Sequence, residues 1–402
     1  MTLELNRFEL SKDHQDFRAV MADFARSEVE PYAADWDREH RFPLSTVQAL
    51  GKLGVFGLHA PQEYGGAGDF TSLCIAIEEV GRVDQSLGIT IEAGVGLGIN
   101  PIATFGTDEQ KERWLPDLVA GRALAGFGLT EPENGSDAGA TKTRAELIDG
   151  SWVIDGAKQF ITNSGTDITS LVTVTARTGT RPDGKAEISA IIVPSGTPGF
   201  TVEPAYSKLG WRSSDTHPLT FSSARVGEDH LLGARGRGYA QFLAILDDGR
   251  VAVAALALGC IRACRDLALE YAGDRKAFGV PIGRKQGIAF QLADLDAMAH
   301  TAELLVYSAA AMRDGFDTAA ASGARPPSKQ AYKRAAAIAK LQTTEYAVTA
   351  TRIAAQVFGG YGFMEEYPIA RFYRDAKILE IGEGTSEVQR LLIARGMGLD
   401  VE

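Results

Sequence analysis

At 402 residues, 45% hydrophobic and 23% charged, the chain is long enough for two or three domains around a large core. Its net charge of −11 excludes the broad basic face that a nucleic-acid partner requires, though a few local cations can still hold a small anionic ligand. No uninterrupted apolar run approaches a membrane span of roughly 18 residues, and the charged opening MTLELNRFELSKDHQDF lacks an apolar h-region. No signal peptide, no membrane partner and a cytoplasmic location are therefore expected.

The first third reads as helices. SKDHQDFRAVMADFARSEVEPYA sets apolar residues at helical spacing, and DEQKERWLPDLVAG does so again before Gly121 closes it. Between them, LGITIEAGVGLGIN carries Gly94, Gly96 and Gly98. These glycines do not match G-x-G-x-x-G and lack a strand–turn–helix setting, so the segment predicts a close-packed core helix rather than a dinucleotide loop.

From about Ala123 the period changes. AELIDGSWVIDGAKQFITN is a hairpin signal with Asp149-Gly150 at its turn, and LVTVTART, EISAIIVP, FTVEPAYS and HPLTFSSARV follow as further strands. Strands this close, with no helix between them, predict an antiparallel sheet or barrel. After LLGARGRG the helical period returns in three long stretches, roughly 239–275, 285–315 and 328–358, which predict a bundle. The expected fold is α+β multidomain: a helical domain over 1–123, a β domain over 124–236 and a helical bundle over 237–402.

Cys260 and Cys264 share one face of a predicted helix, without a nearby His or Cys to complete a metal site. They and Cys74 are expected as buried, reduced thiols, and no metal is expected.

Five short segments carry candidate chemistry. GFGLTEPENGSD (126–137) offers hydroxyls and glycine-loosened backbone to a polar ligand, and QFITNSG (159–165) ends a predicted strand on Thr162. DRKAFGVPIGRKQ (274–286) sets Arg275, Lys276, Arg284 and Lys285 around a helix break, as a phosphate clamp or as cations capping a helix C-terminus. QVFGGYGF (356–363) ends a helix on paired glycines, which allow close backbone approach to a ligand or merely stop the helix. In IGEGTSEVQR (381–390), Ser386 and Gln389 read as a capping box for a short helix ending at Gly396. Glu383 lies outside that helix between two glycines, so capping does not account for it; a solvated loop acid and a positioned carboxylate both fit.

Taken together in this order, these segments resemble the acyl-CoA dehydrogenase family. The resemblance runs from FPLSTVQALGKLGVFGLHAPQEYGG to IGEGTSEVQRLLIARG, and LTEPENGSD and QVFGGYGFMEEYPIARFYRDAK are similar to its two signatures. It implies a helical domain, a β-barrel-like domain and a four-helix bundle. It also implies an FAD-dependent α,β-dehydrogenation of an acyl-CoA to the 2-enoyl-CoA, as in fatty-acid β-oxidation. Electron-transfer flavoprotein is the implied acceptor, and a homotetramer or dimer the implied assembly.

By that resemblance Glu383 inherits the role of catalytic base. A family subset that includes the isovaleryl-CoA dehydrogenases carries its base on the helix after the β domain, a position that aligns here with Gly249 and so with no base. The flavin ring would meet Phe127, Leu129, Thr130, Phe160, Ile161 and Thr162, with the Thr162 hydroxyl near N5. Phe160 stands where the family usually has Trp, which keeps stacking and loses a donor. The pyrophosphate and adenosine would take Arg275, Phe278, Gln286, Gln356, Gly359 and Gly360 from a neighbouring subunit, plus Thr385 and Glu387.

Ser136, Asp247, Arg250 and Gly384 correspond to acyl-CoA contacts, with a structural salt bridge as the other reading of Arg250. Glu92 resembles the pocket floor of medium-chain members, whereas Gly382 resembles the isovaleryl-type pattern, so a short-to-medium or branched acyl chain is expected. A flavin oxidase or monooxygenase, or a non-catalytic scaffold, are the alternatives on this fold. They would be expected to lose Glu383, the CoA contacts or the flavin segments, and all of these are in place.

Overall fold

The computed structural model describes residues 9–401, so the first eight residues of the charged opening lie outside the described residues. The helical first part comprises α1 (Lys12–Phe24), α2 (Ala33–Glu39), α3 (Leu44–Lys52), α4 (Phe70–Gly81), α5 (Gln85–Glu92), α6 (Asn100–Phe105) and α7 (Asp108–Val119). A capping box opens α7: Thr107 Oγ1 accepts from the Gln110 N–H, and the Gln110 side chain accepts from the Thr107 N–H.

Helices α5 and α6 are joined through a π-helical turn (Ala93–Ile99) into one rod. By length and composition this rod, Gln85–Phe105, could cross a membrane, but 83% of its most apolar window is buried inside the fold. Its glycines serve packing, as expected. A Cβ on Gly94 would lie 2.6 Å from the Phe56 ring, and one on Gly98 would lie 3.1 Å from the Ala125 carbonyl oxygen.

The β part comprises β1 (Leu124–Gly128), β2 (Arg144–Ile148), β3 (Ser151–Thr162), β4 (Thr169–Thr180), β5 (Ala186–Pro194), β6 (Phe200–Val202), β7 (Thr216–Gly227) and β8 (Leu231–Leu232). They form one sheet in the order β6-β7-β3-β2-β4-β5-β8, with β1 added on β4. Asp149 and Gly150 turn the β2–β3 hairpin with φ of 51° and 74°, the left-handed pair that a tight hairpin needs. The sheet is mixed rather than purely antiparallel, because β4 runs parallel to both β1 and β2. Residue alternation reports which face a side chain takes, not strand direction, so this could not be read ahead. Trp152, Ile154, Ile161, Val172, Val174 and Phe221 fill the sheet's core.

The last part contains α8 (Gly238–Asp274), a short hairpin of β9 (Lys276–Ala277) and β10 (Val280–Pro281), α9 (Gln286–Ser322), α10 (Lys329–Phe358), α11 (Pro368–Asp375) and α12 (Ser386–Gly396). The three long helices pack on one another and α12 packs on α10. Helix α8 also packs on α4 and α5, which brings the middle of α8 against the end of α5 where the π turn begins. Cys74, Cys260 and Cys264 are buried free thiols in this helical core.

Candidate active site

The loop between α11 and α12 is held in an unusual backbone state. Glu383 and Gly384 are both left-handed, with φ of 51° and 94°. For a glutamate that conformation costs about 1–2 kcal/mol, so other contacts must hold it. Two side chains do: Lys340 Nζ donates to the Gly384 carbonyl at 2.9 Å, and Gln389 Nε2 donates to the same carbonyl at 2.9 Å and to that of Glu383 at 3.4 Å.

The cap of α12 falls one residue earlier than the sequence suggests. After the two left-handed residues it is Thr385 that takes the extended ψ of 164°, and its Oγ1 accepts from the Val388 N–H at 3.3 Å. Among the described residues Ser386 Oγ is buried without a partner, and Gln389 serves as a clamp on the loop instead of closing a capping box.

The Glu383 side chain fills the space that Gly249 leaves open on α8. A Cβ on Gly249 would sit 2.1 Å from Glu383 Oε2 and 3.5 Å from Glu92 Oε1. Glu92, the last residue of α5, is fully buried. Among the described residues no N–H or hydroxyl donor reaches either Glu92 carboxyl oxygen or Glu383 Oε2. What remains to satisfy them is a proton shared between the two acids. Burial, and then the charge of Glu383, push Glu92 well above the ordinary glutamate range. Burial also raises Glu383, but the hydrogen bond from Glu92 and the cations Lys340 and Arg250 pull it back. These directions favour the proton on Glu92 and the charge on Glu383, the arrangement in which Glu383 can act as a base.

Neither acid beside Gly249 on α8 duplicates Glu383. Asp247 is paired with Arg250 on its own helix and with Lys333 at 3.3 Å, so the salt-bridge reading of Arg250 holds within this chain. Asp248 is engaged by Arg313 Nε at 2.8 Å and by the Tyr332 hydroxyl at 2.6 Å.

The β part supplies a second wall. Phe127, on β1, is buried and stacks on Phe242 at 3.9 Å between ring centroids, and Leu129 and Thr130 continue half-buried beyond the strand end. The pairing of β3 with β7 slips between Lys158 and Ile161, and within that bulge Phe160 is left-handed (φ 61°). The bulge turns the Phe160 ring outward, 60% exposed, while Ile161 drops into the sheet core at 2% exposure. Thr162, half-buried, shares the Phe160 side of the strand. Ile161 can thus offer only its backbone on the side that Phe160 and Thr162 face. Ser136 is exposed on the loop after β1.

Beneath this wall lies a pair that the sequence reading does not single out. Lys158 is fully buried, and its Nζ donates to the Leu129 carbonyl (3.2 Å), Glu131 Oε1 (2.8 Å) and Thr175 Oγ1 (3.1 Å). Glu131 also accepts from the Lys142 and Thr143 N–H groups at 2.6 and 3.0 Å. The only signal in the sequence is a lysine at an inward position of β3, facing the acid of LTEP.

Three family descriptions match in order along the chain: acyl-CoA dehydrogenase N-terminal domain over 11–122, middle domain over 126–224 and C-terminal domain over 236–398. The chain belongs to the acyl-CoA dehydrogenase family. Its relatives include the mitochondrial short-chain specific acyl-CoA dehydrogenase of Bos taurus, 41% identical over 387 residues, 96% of this chain and 90% of the relative. The butyryl-CoA dehydrogenase structure from Megasphaera elsdenii superposes with a TM-score of 0.90 at 37% identity, covering 98% of this chain and 100% of that one. An acyl-CoA dehydrogenase structure from Bacillus anthracis, complexed with FAD, gives 0.88 at 32% identity, covering 97% and 67%.

In this acyl-CoA dehydrogenase the remaining cofactor candidates form a separate, exposed group. Arg275 caps α8 through its backbone N–H, which leaves its guanidinium 5.6 Å over the Tyr361 ring. Phe278 tips the β9–β10 hairpin in a left-handed turn and is 95% exposed, with Lys285 Nζ 5.5 Å from its ring. Gln286 opens α9, while Gln356, Gly359 and Gly360 lie exposed where α10 ends, joined to α8 by the stacking of Tyr271 on Phe358 at 4.2 Å. Among the described residues a Cβ on Gly359 or Gly360 would meet nothing within 4 Å, so a ligand has room to approach this edge, although the Gly359 N–H is itself bonded to the Gln356 carbonyl. Arg275 and Lys285 lie over aromatic rings, and among the described residues neither side chain bonds a carbonyl of α8. Thr385 is half-buried and Glu387 exposed at the start of α12. Outward aromatic rings, a bare glycine edge and exposed cations fit the ring and the pyrophosphate of FAD.

Proposed function

We propose that this chain is an FAD-dependent acyl-CoA dehydrogenase that converts a short-to-medium or branched acyl-CoA to its 2-enoyl-CoA, with Glu383 as the catalytic base. The observation that carries this reading is the Glu383 carboxyl seated in the gap left by Gly249, beside the buried carboxyl of Glu92. An α-hydrogen next to a thioester is weakly acidic, so its removal needs a desolvated carboxylate and donors for the enolate-like oxygen. Glu383 takes the α-proton, and its own backbone N–H is the donor for that oxygen. FAD, when bound, supplies the acceptor for the β-hydride.

Phe127, Leu129, Thr130, Phe160, the Ile161 backbone and Thr162 would hold the flavin ring. Thr385, Glu387 and a neighbouring subunit's Arg275, Phe278, Gln286, Gln356, Gly359 and Gly360 would hold the rest, which implies a homotetramer or dimer. Ser136, Asp247, Arg250 and Gly384 would meet the CoA and thioester. Electron-transfer flavoprotein is the acceptor expected of the family. The short-chain specific and butyryl-CoA dehydrogenase relatives support the short end of the substrate range. Gly382 supports a branch, since among the described residues a Cβ there meets only the Ile378 carbonyl at 3.5 Å.

The test is a panel of straight and branched acyl-CoA thioesters, assayed with an artificial electron acceptor on the yellow, FAD-loaded oligomer. Turnover is expected to peak on a short or branched chain. A colourless monomer that cannot be reconstituted with FAD, or no turnover of any thioester, would sink the reading.

A further inference from the structure

The fully buried Lys340 is not explained by stability. Burying an ammonium is costly unless it is paired, and among the described residues no carboxylate lies within 4 Å of its Nζ. Its recorded bond is to a single backbone carbonyl, that of Gly384. An apolar side chain of similar length would pack against α10's neighbours without that cost. The loop it touches is the one forced into two consecutive left-handed residues, and it carries the acid that the reading above makes the base.

We propose that Lys340 is a positioning residue for Glu383: it pins the peptide after Gly384 and keeps a positive charge close to, but not in contact with, the Glu383 carboxylate. The proposal rests on the assignment of Glu383 as base. Pinning holds the left-handed turn, so that the carboxylate stays in the gap beside Gly249. The charge favours the ionised form in a place where burial opposes it.

The other groups facing this acid do not replace that charge. Glu92, from α5, is itself an acid, and Arg250, from α8, also pulls Glu383 down but after Lys340, and it shares its charge with Asp247 on the same helix. Glu380 and Glu387, which flank the loop, are negative. Burial lowers Lys340 to about 8 while the charge of Glu383 holds it up, so the ammonium persists at neutral pH.

The test compares Lys340→Met, which loses both donor and charge, with Lys340→Gln, which keeps a donor to Gly384, in FAD-loaded enzyme. Stopped-flow flavin reduction by butyryl-CoA is followed across pH, and the Glu383 carboxyl is titrated by infrared difference against Glu383→Gln. In Lys340→Met, flavin reduction is expected to fall about tenfold or more with KM nearly unchanged. In both variants the carboxyl titration and the acid limb of the rate should move up by about one pH unit, the size of shift produced by one nearby charge. Lys340→Gln should recover most of the rate at alkaline pH.

An unshifted carboxyl titration in Lys340→Gln overturns the proposal, even if Lys340→Met fails to fold. So does a wild-type rate and pH profile in Lys340→Met. If Glu383→Gln is inert while both Lys340 variants titrate like wild type, only the role of Lys340 falls. If Glu383→Gln itself reduces its flavin normally, the base assignment falls first.

Discussion

Two fully buried lysines, Lys158 in β3 and Lys340 in α10, each stand near a glutamate, and burial lowers both to about 8. Lys158 touches its glutamate directly, at 2.8 Å from Glu131 Oε1. Burial opposes the Glu131 charge, yet the lysine and the two backbone N–H groups hold that acid below the ordinary range. Lys340 stops at the Gly384 carbonyl, and Glu383 stays raised. Contact with a cation makes a carboxylate a fixed structural charge that has no tendency to take a proton. One peptide of separation leaves it ionised and still basic. A catalytic carboxylate needs the second arrangement, and the loop segment 129–131 needs the first.

The comparison breaks most sharply at the base itself. Glu383→Gln fills the same volume and is expected to retain FAD and acyl-CoA binding while flavin reduction by substrate falls by 10²–10⁴-fold or more, measured by stopped flow. Asp248 cannot rescue it, being held by Arg313 and Tyr332. The double variant with Asp248→Asn should therefore be no slower than Glu383→Gln alone. In the wild-type enzyme kcat/KM should fall as pH drops through a value above the ordinary glutamate pKa, because Glu383 works as the carboxylate and burial raises it.

The structural half of the comparison is tested by Glu131→Gln, which strands the Lys158 ammonium. Loss of about 3–5 kcal/mol is expected by denaturant unfolding, the usual consequence of removing one partner of a buried pair. The sign with pH follows from the lowered folded pKa of Glu131. Its contribution is complete above the unfolded glutamate pKa and is lost as pH falls through the folded value. The difference between wild type and variant should thus shrink in acid.

Gly249→Ala probes the gap that seats the base. A Cβ 2.1 Å from Glu383 Oε2 forces the carboxyl aside. A displacement of that size costs on the order of 10²-fold in flavin reduction. Alanine in α8 gains up to about 1 kcal/mol of helix propensity, which crowding against the buried carboxyl offsets, so stability should change far less than activity. A fall in melting temperature in proportion to the lost activity would show that the glycine serves packing alone.

The smallest effect is expected at the wall opposite. Thr162→Val should slow flavin reduction by the equivalent of about 1–3 kcal/mol while FAD affinity changes little, since the lost hydroxyl acts where charge develops during hydride arrival. Bleaching of the flavin at the wild-type rate would remove Thr162 from the chemistry.

The sequence by itself determined the order of helical, β and helical parts, because the spacing of apolar residues switches from the period of a helix to that of a strand and back. It also determined the hairpin turn at Asp149-Gly150 and the packing use of Gly94 and Gly98, since those depend on what a backbone without Cβ can do locally. Glu383 could be singled out through its motif, but its setting could not. That Glu92 shares its proton, that Gly249 makes room for it and that Lys340 and Gln389 clamp its loop all arise where α5, α8, α10 and α12 meet. Apart from Gln389, six positions on from Glu383, these residues are tens to hundreds of positions away from it in the chain. The same holds for the outward turn of Phe160, for the shift of the α12 cap to Thr385 and for the parallel pairing of β4. Each depends on a backbone torsion, a register or a desolvated contact that exists only once distant segments are packed together.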